Sequence, residues 1–156
     1  MEESFRDKGQ ASLEYLLVIG LTLAIIVPAT FLFFNYSKES TEEITDAIIT
    51  KVGRNIIDSA ENIYYSGVGS KTVLELTIPE KVKSAIIIDG RELVFNITSS
   101  FGETEMVFFS SVNLTTTIAN CIKNVCSLPE LSSQGLKKIK LEATSSETVH
   151  ILPDTG

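Results

Sequence analysis

Tyr15–Phe34 reads YLLVIGLTLAIIVPATFLFF, and this run decides the architecture of the chain. It holds no charged residue, and only Thr22 and Thr30 are clearly polar. As a helix it would span about 30 Å, the thickness of a bilayer core. A helix of a water-soluble domain would carry a polar stripe, and this one has none. Arg6 and Lys8 stand before it; Lys38, Glu39, Glu42 and Glu43 follow it. Basic residues concentrated on the N-terminal side place that end in the cytoplasm. A secretory signal peptide would be shorter and end in a small-residue cleavage site. Here the run ends in Phe31-Leu-Phe-Phe-Asn-Tyr36, so a retained single-pass helix is the better reading.

Outside this run the composition is that of a folded domain. The chain has 156 residues, 44% of them hydrophobic, with two Cys, one His and no Trp. Thirteen basic residues against twenty acidic ones give a net charge of −7, and no basic cluster occurs, which argues against a nucleic-acid partner. Leu, Ile, Val and Phe are too plentiful for a disordered chain. No G-x-S-x-G, H-E-x-x-H, P-loop or C-x-x-C motif is present, so nothing points to an enzyme or a cofactor. His150 lies in the last alternating run, where a structural role is expected. The acids are too scattered for a calcium site.

Lys38–Ser66 continues as an amphipathic helix. Ile44, Ile48, Val52, Ile56, Ala60 and Ile63 recur at a spacing of three to four, widened by Ile49 and Ile57. Charged and polar residues fill the other face. One long helix is expected from Leu13 to about Tyr65, stopped by Gly67 and Gly69. Pro28 removes a helical donor and should kink or loosen the apolar part. A coiled coil is the rival explanation of the stripe, but the repeat is short.

From Lys71 the period changes to two. Thr72–Ile78 alternates and stops at Pro79. Ser84–Asp89 and Glu92–Thr98 flank Gly90-Arg91 as a hairpin, and Asp89-Gly90 is a turn signal. Glu103–Phe109, Leu136–Thr144 and Thr148–Leu152 alternate as well. The fold class is therefore α+β: a long N-terminal hydrophobic and amphipathic helix, then a small antiparallel β-sandwich-like domain of six or seven strands.

Cys121 and Cys126 bracket Ile-Lys-Asn-Val, a spacing that a disulfide closing a hairpin loop can meet. Two free thiols or a metal site remain open, although a metal would need further ligands and His150 is the single histidine. An extracellular location would favour the disulfide. Asn35, Asn96 and Asn113 each begin an N-x-S/T triplet and are candidate glycan acceptors in a translocated domain. Of these, Asn113 lies in the most loop-like context.

Before the apolar run stands Lys8-Gly9-Gln10-Ala11-Ser12-Leu13-Glu14-Tyr15-Leu16-Leu17. Glu14 sits at the mouth of an apolar stretch, where a carboxylate is costly and usually kept for a partner. Lys8, Gly9, Gln10, Ser12, Glu14, Tyr15, Leu16 and Leu17 together resemble the processing site of archaeal type IV pilins with a class III signal peptide. Ser59–Gly67, reading SAENIYYSG, then a strand, Pro79 and hairpins, resembles the same family more weakly.

The resemblance implies a type IV pilin-like fold with the layout 1–9 removed as a signal peptide, 10–66 a long helix and 71–156 an extracellular β-domain. In the helix, 15–34 would be the membrane and filament-core part and 38–66 the amphipathic part. It implies a membrane-embedded prepilin peptidase cutting between Gly9 and Gln10, so that the helix stays on the mature chain. Subunits would leave the membrane through an assembly ATPase and its platform and polymerise helix on helix. The new Gln10 α-amine, positive near neutral pH, would meet Glu14 of a neighbour and set register. Pro28 would let the helix pack in that core. The implied setting is a cell-surface filament for adhesion or cell contact. The alternatives are a single-pass anchored β-domain that binds a partner, a minor pilin or pseudopilin, and an archaellin.

Overall fold

In a computed structural model, the backbone is described for residues 3–99, 102–145 and 148–154; the side chains of 3–12, 38–41, 118 and 145 lie outside the described residues. Helix α1 runs Glu3–Ser66 with Pro28 inside it. It ends at Gly67, whose φ of +100° only glycine adopts without strain, and whose N–H donates to Tyr64 O at 3.1 Å. The chain divides into two units, Met1–Glu43 and Ile44–Gly156. The later part of the helix therefore belongs with the strands.

Nine strands are found among the described residues: β1 Lys71–Ile78, β2 Val82–Ile88, β3 Glu92–Ser99, β4 Gly102–Phe109, β5 Asn113–Thr115, β6 Cys121–Ile122, β7 Val125–Ser127, β8 Gly135–Ser145 and β9 Thr148–Pro153. They form two sheets, ordered β1-β8-β9-β5 and β4-β3-β2-β7-β6. All pairings are antiparallel except β5–β9. The six strands read from alternation are present. The three extra ones fall in Asn113–Ser127 and are only two or three residues long, too short to display a period.

The β2–β3 connection shows why these residues turn. Asp89 and Gly90 both take positive φ, 51° and 68°, and Arg91 N–H donates to Ile88 O at 3.1 Å. That is the backbone of a type I′ turn, which Asp-Gly favours because the second position tolerates no side chain cheaply.

Alternation then sorts side chains. Leu76 and Ile78 of β1, Ile139 and Leu141 of β8, and Val149 and Ile151 of β9 face one core. Ala85 and Ile87 of β2 and Leu93, Phe95 and Ile97 of β3 face it from the second sheet. The helix closes it with Ile49, Val52, Ile56, Ile57, Ala60 and Ile63. At about 25 cal/mol per Å² of apolar area, this shared burial is the main force fixing the helix to the sheets. Ile44 and Ile48 depart from the expected stripe: they are 59% and 38% exposed. Ile44 precedes the turns that the strands cover, and Ile48 lies at the rim of the groove against β1.

The helix borders β1 along a groove lined by Ile48, Lys51, Asn55, Glu75 and Thr77. Arg54, Ile57, Asp58, Val107 and Phe109 line its border with β4. Gly53 permits that second contact, since a Cβ there would overlap the Phe108 ring. Phe108 in turn meets Phe95 edge-to-face, centroids 6.0 Å apart.

Candidate functional site

The first unit is distinguished by what leaves it uncovered. The most apolar window of the helix has a mean hydropathy of 2.6 and none of it is buried. Among the described residues this is one helix long and apolar enough to cross a membrane. Leu16, Leu17, Ile25, Val27, Phe31, Leu32 and Phe33 are all exposed. In water such a surface is unfavourable over its whole length, and nothing else in the chain covers it among the described residues. The two polar side chains in it are internally satisfied: Thr22 donates to Val18 O and Thr30 to Ile26 O, each at 2.7 Å. Neither threonine therefore presents a free hydroxyl donor to a hydrocarbon surrounding.

Glu14 is exposed at the head of this surface. Pro28 lies within the helix, which continues through it. Gly20 meets nothing within 4 Å, leaving room for close approach of another helix. Gly9 and Gln10 fall in the stretch whose side chains lie outside the described residues.

In the second unit Cys121 and Cys126 form a disulfide, with Cα atoms 3.9 Å apart. They are directly opposite in the β6–β7 hairpin, whose tip is Lys123-Asn124, with Lys123 at φ 57°. The bond staples a hairpin too short to be stable alone. Asn124 Nδ2 donates to Asp89 Oδ1 at 2.8 Å, and Asp89 N–H to Asn124 O at 2.8 Å, tying this tip to the β2–β3 turn.

The three triplet asparagines sit in different settings. Asn35 is exposed within the helix. Asn96 is mid-strand in β3 and half-buried, with its Oδ1 buried and without a hydrogen-bond partner. Asn113 opens β5 and is exposed, lining an open cleft of about 400 Å³ with Asp89, Thr115, Lys123 and Thr148. Its Oδ1 lies so close to Gly90 that a Cβ there would overlap it. Asn113 is thus the triplet asparagine whose side chain solvent reaches outside a helix.

His150 lies on the outer side of β9, opposite Glu142 of β8. Glu142 accepts from Lys71 at 2.8 Å and Lys140 at 3.3 Å, and these two ammonium groups, Lys71 first, hold its carboxyl below the ordinary value. Glu61 is likewise lowered, by the Ser111 hydroxyl at 2.7 Å and then by the Ser111 N–H at 3.1 Å. Sequence reading missed Glu61 as a clasp, because its partner is fifty residues away. No cluster of three or more potential metal ligands occurs among the described residues. No protein-family model, no curated protein and no solved structure matches this chain.

Proposed function

We propose that this chain is the structural subunit of an archaeal type IV pilus-like surface filament, serving adhesion or cell contact. The observation that carries the reading is the uncovered apolar helix headed by Glu14 and preceded by Lys8-Gly9-Gln10. The precursor sits in the cytoplasmic membrane with its N-terminus inside. A prepilin peptidase cuts after Gly9, where the absence of a side chain lets a protease hold extended backbone. Assembly machinery then moves the helix from lipid into a bundle of identical helices. The apolar surface passes from one dry environment to another, so packing and polar contacts decide the register. Glu14 supplies one such contact by pairing with the Gln10 amine of a neighbour, and Gly20 and Pro28 shape the helix that packs. The disulfide and any glycan on Asn113 suit an oxidising, exposed surface.

The same helix could serve as a plain single-pass anchor. What favours the polymer is the Lys8-Gly9-Gln10 stretch four residues ahead of Glu14, a pattern that a plain anchor does not need. Co-expression with a prepilin peptidase tests the processing step. The wild-type chain should lose residues 1–9, while Gly9→Leu should stay at full length. A wild-type chain that keeps residues 1–9, or a Gly9→Leu chain cut as readily as the wild type, would reject the reading.

A further inference from the structure

Four segments of the second unit meet around the open cleft of about 400 Å³: the β2–β3 turn with Asp89 and Gly90, β5 with Asn113 and Thr115, the β6–β7 tip with Lys123 and Asn124, and Thr148 at the start of β9. Bonds between segments fix its walls. Leu114 N–H donates to Gly90 O at 2.6 Å, the two Asp89–Asn124 hydrogen bonds tie turn to tip, and the Cys121–Cys126 disulfide closes the hairpin behind the tip. Amide, hydroxyl, carboxylate and ammonium groups belong to the lining residues, the donors and acceptors that sugar hydroxyls take. None of these residues is aromatic. A free saccharide would have to offset the full cost of association with exposed polar contacts alone. A tethered one seats at high effective concentration and is spared most of that cost. The cleft holds an attachment point for one, Asn113 of the Asn113-Leu114-Thr115 triplet.

Strand geometry presents this triplet. Alternation puts Asn113 and Thr115 on one face and Leu114, 2% exposed, in the core. β5 is an edge of its sheet, so no further strand covers it there. Asn96 and Thr98 alternate in the same way about buried Ile97, but β3 lies between β4 and β2, and Asn96 Oδ1 is buried. A sugar on Asn96 would have to lift that side chain off the sheet. Asn35 directly follows the apolar run, and a hydrated sugar there is unfavourable beside a surface that shuns water.

We infer that Asn113 carries an N-linked oligosaccharide whose first sugars seat in this cleft. The inference rests on export of the second unit, which the proposed function and its single-pass alternative share, and it needs no polymer. The co-reactant is a saccharide carried on a membrane-lipid phosphate or diphosphate. Asn113 Nδ2 attacks the anomeric carbon; the N–C bond forms, the C–O bond to phosphate breaks, and the phosphate leaves with the bonding pair. The amide nitrogen gives one proton to a base of the transferring enzyme, so no oxidant or reductant is consumed. The seated sugar bridges β5, the hairpin tip and the start of β9.

Peptide masses of the full chain made in its native cells test the site, and amide hydrogen exchange of the intact protein tests the seating. Saccharide mass should sit on the peptide holding Asn113 and be absent from those holding Asn35 and Asn96. Asn113→Gln and Thr115→Ala should each lose it, and Thr115→Ser should keep it. With the sugar present, amides of the Lys123-Asn124 tip and of Thr148–His150 should exchange several-fold more slowly than in either unmodified variant, while those of β3 and β4 stay unchanged. Mass at Asn113 with equal exchange in wild type and variants would overturn the seating. A bare Asn113, or mass on Asn35 or Asn96 in its place, would overturn the inference as a whole. The N-terminal residue is read on the same sample. A Met1 chain with sugar on Asn113 would keep the site and overturn the filament; a Gln10 chain with a bare Asn113 would overturn the site and keep the filament.

Discussion

Gly53→Ala should destabilise the second unit, against the rule for helix interiors. In an exposed helix the substitution gains about 1 kcal/mol from propensity alone. Here three carbons of the Phe108 ring stand where the new methyl must go, with Cδ2 2.6 Å from the Cβ position. Carbon atoms are most favourable at about 3.5–4.0 Å, so the overlap is about 1 Å. Phe108 cannot swing freely, because it packs edge-to-face on the fully buried Phe95. Relief therefore requires a shift of edge strand β4 away from the helix. Overpacking of this kind costs about 1–3 kcal/mol. Set against the propensity gain, the net loss is up to about 2 kcal/mol. For a unit of this size that is a drop of several degrees in Tm, at roughly 4 °C per kcal/mol. The assay is thermal unfolding of the full chain in detergent, followed by circular dichroism in the β region. The double variant Gly53→Ala with Phe108→Leu should recover part of the loss, because the shorter side chain vacates the clash. A Tm that rises in Gly53→Ala, or a double variant that is strictly additive, would refute the helix–β4 contact.

Three further outcomes are expected. Ile56→Ala empties a fully buried position between helix and sheets and should cost about 2–5 kcal/mol in the same unfolding assay, whereas Ile44→Ala, at an exposed position, should cost under 1. Replacing Cys121 and Cys126 together by Ser should cost about 2 kcal/mol, the loop-closure value for so short a loop, with thermal unfolding in the presence and absence of reductant as the check. The Glu61–Ser111 clasp should be pH-dependent. Its carboxyl lies below the ordinary value when folded, so its stabilisation is present above the unfolded value of 4.5 and is lost as pH falls through the folded one. Ser111→Ala should therefore lower Tm at pH 7, by the equivalent of about 1 kcal/mol or less in view of its exposure, and leave it nearly unchanged once the carboxyl is protonated.

Much of the fold was legible because it rests on local periodicity. The shift from a spacing of three to four in Ile49–Ile63 to a spacing of two from Lys71 divides helix from strands. Asp89-Gly90 and Gly67 mark turns through backbone constraints that any context would impose. The strands of Asn113–Ser127 escaped notice because two or three residues hold no pattern, and because the Asp89–Asn124 hydrogen bonds that hold the hairpin tip are long-range. Ile44 and Ile48 continue the stripe of the helix yet stay exposed, since periodicity states which side is apolar but not how far the covering strands reach. Gly53 and Glu61 carry their meaning only through Phe108 and Ser111, which are distant in sequence. The candidate site was the most legible part: an uninterrupted apolar run headed by a lone carboxylate is a one-dimensional signal.

The most direct test of the central claim is the intact mass and N-terminal sequence of this protein in material sheared from its native cells. The account predicts a chain beginning at Gln10, released by shear, with any added mass confined to peptides holding a triplet asparagine. A chain beginning at Met1 and retained in the membrane fraction would contradict it.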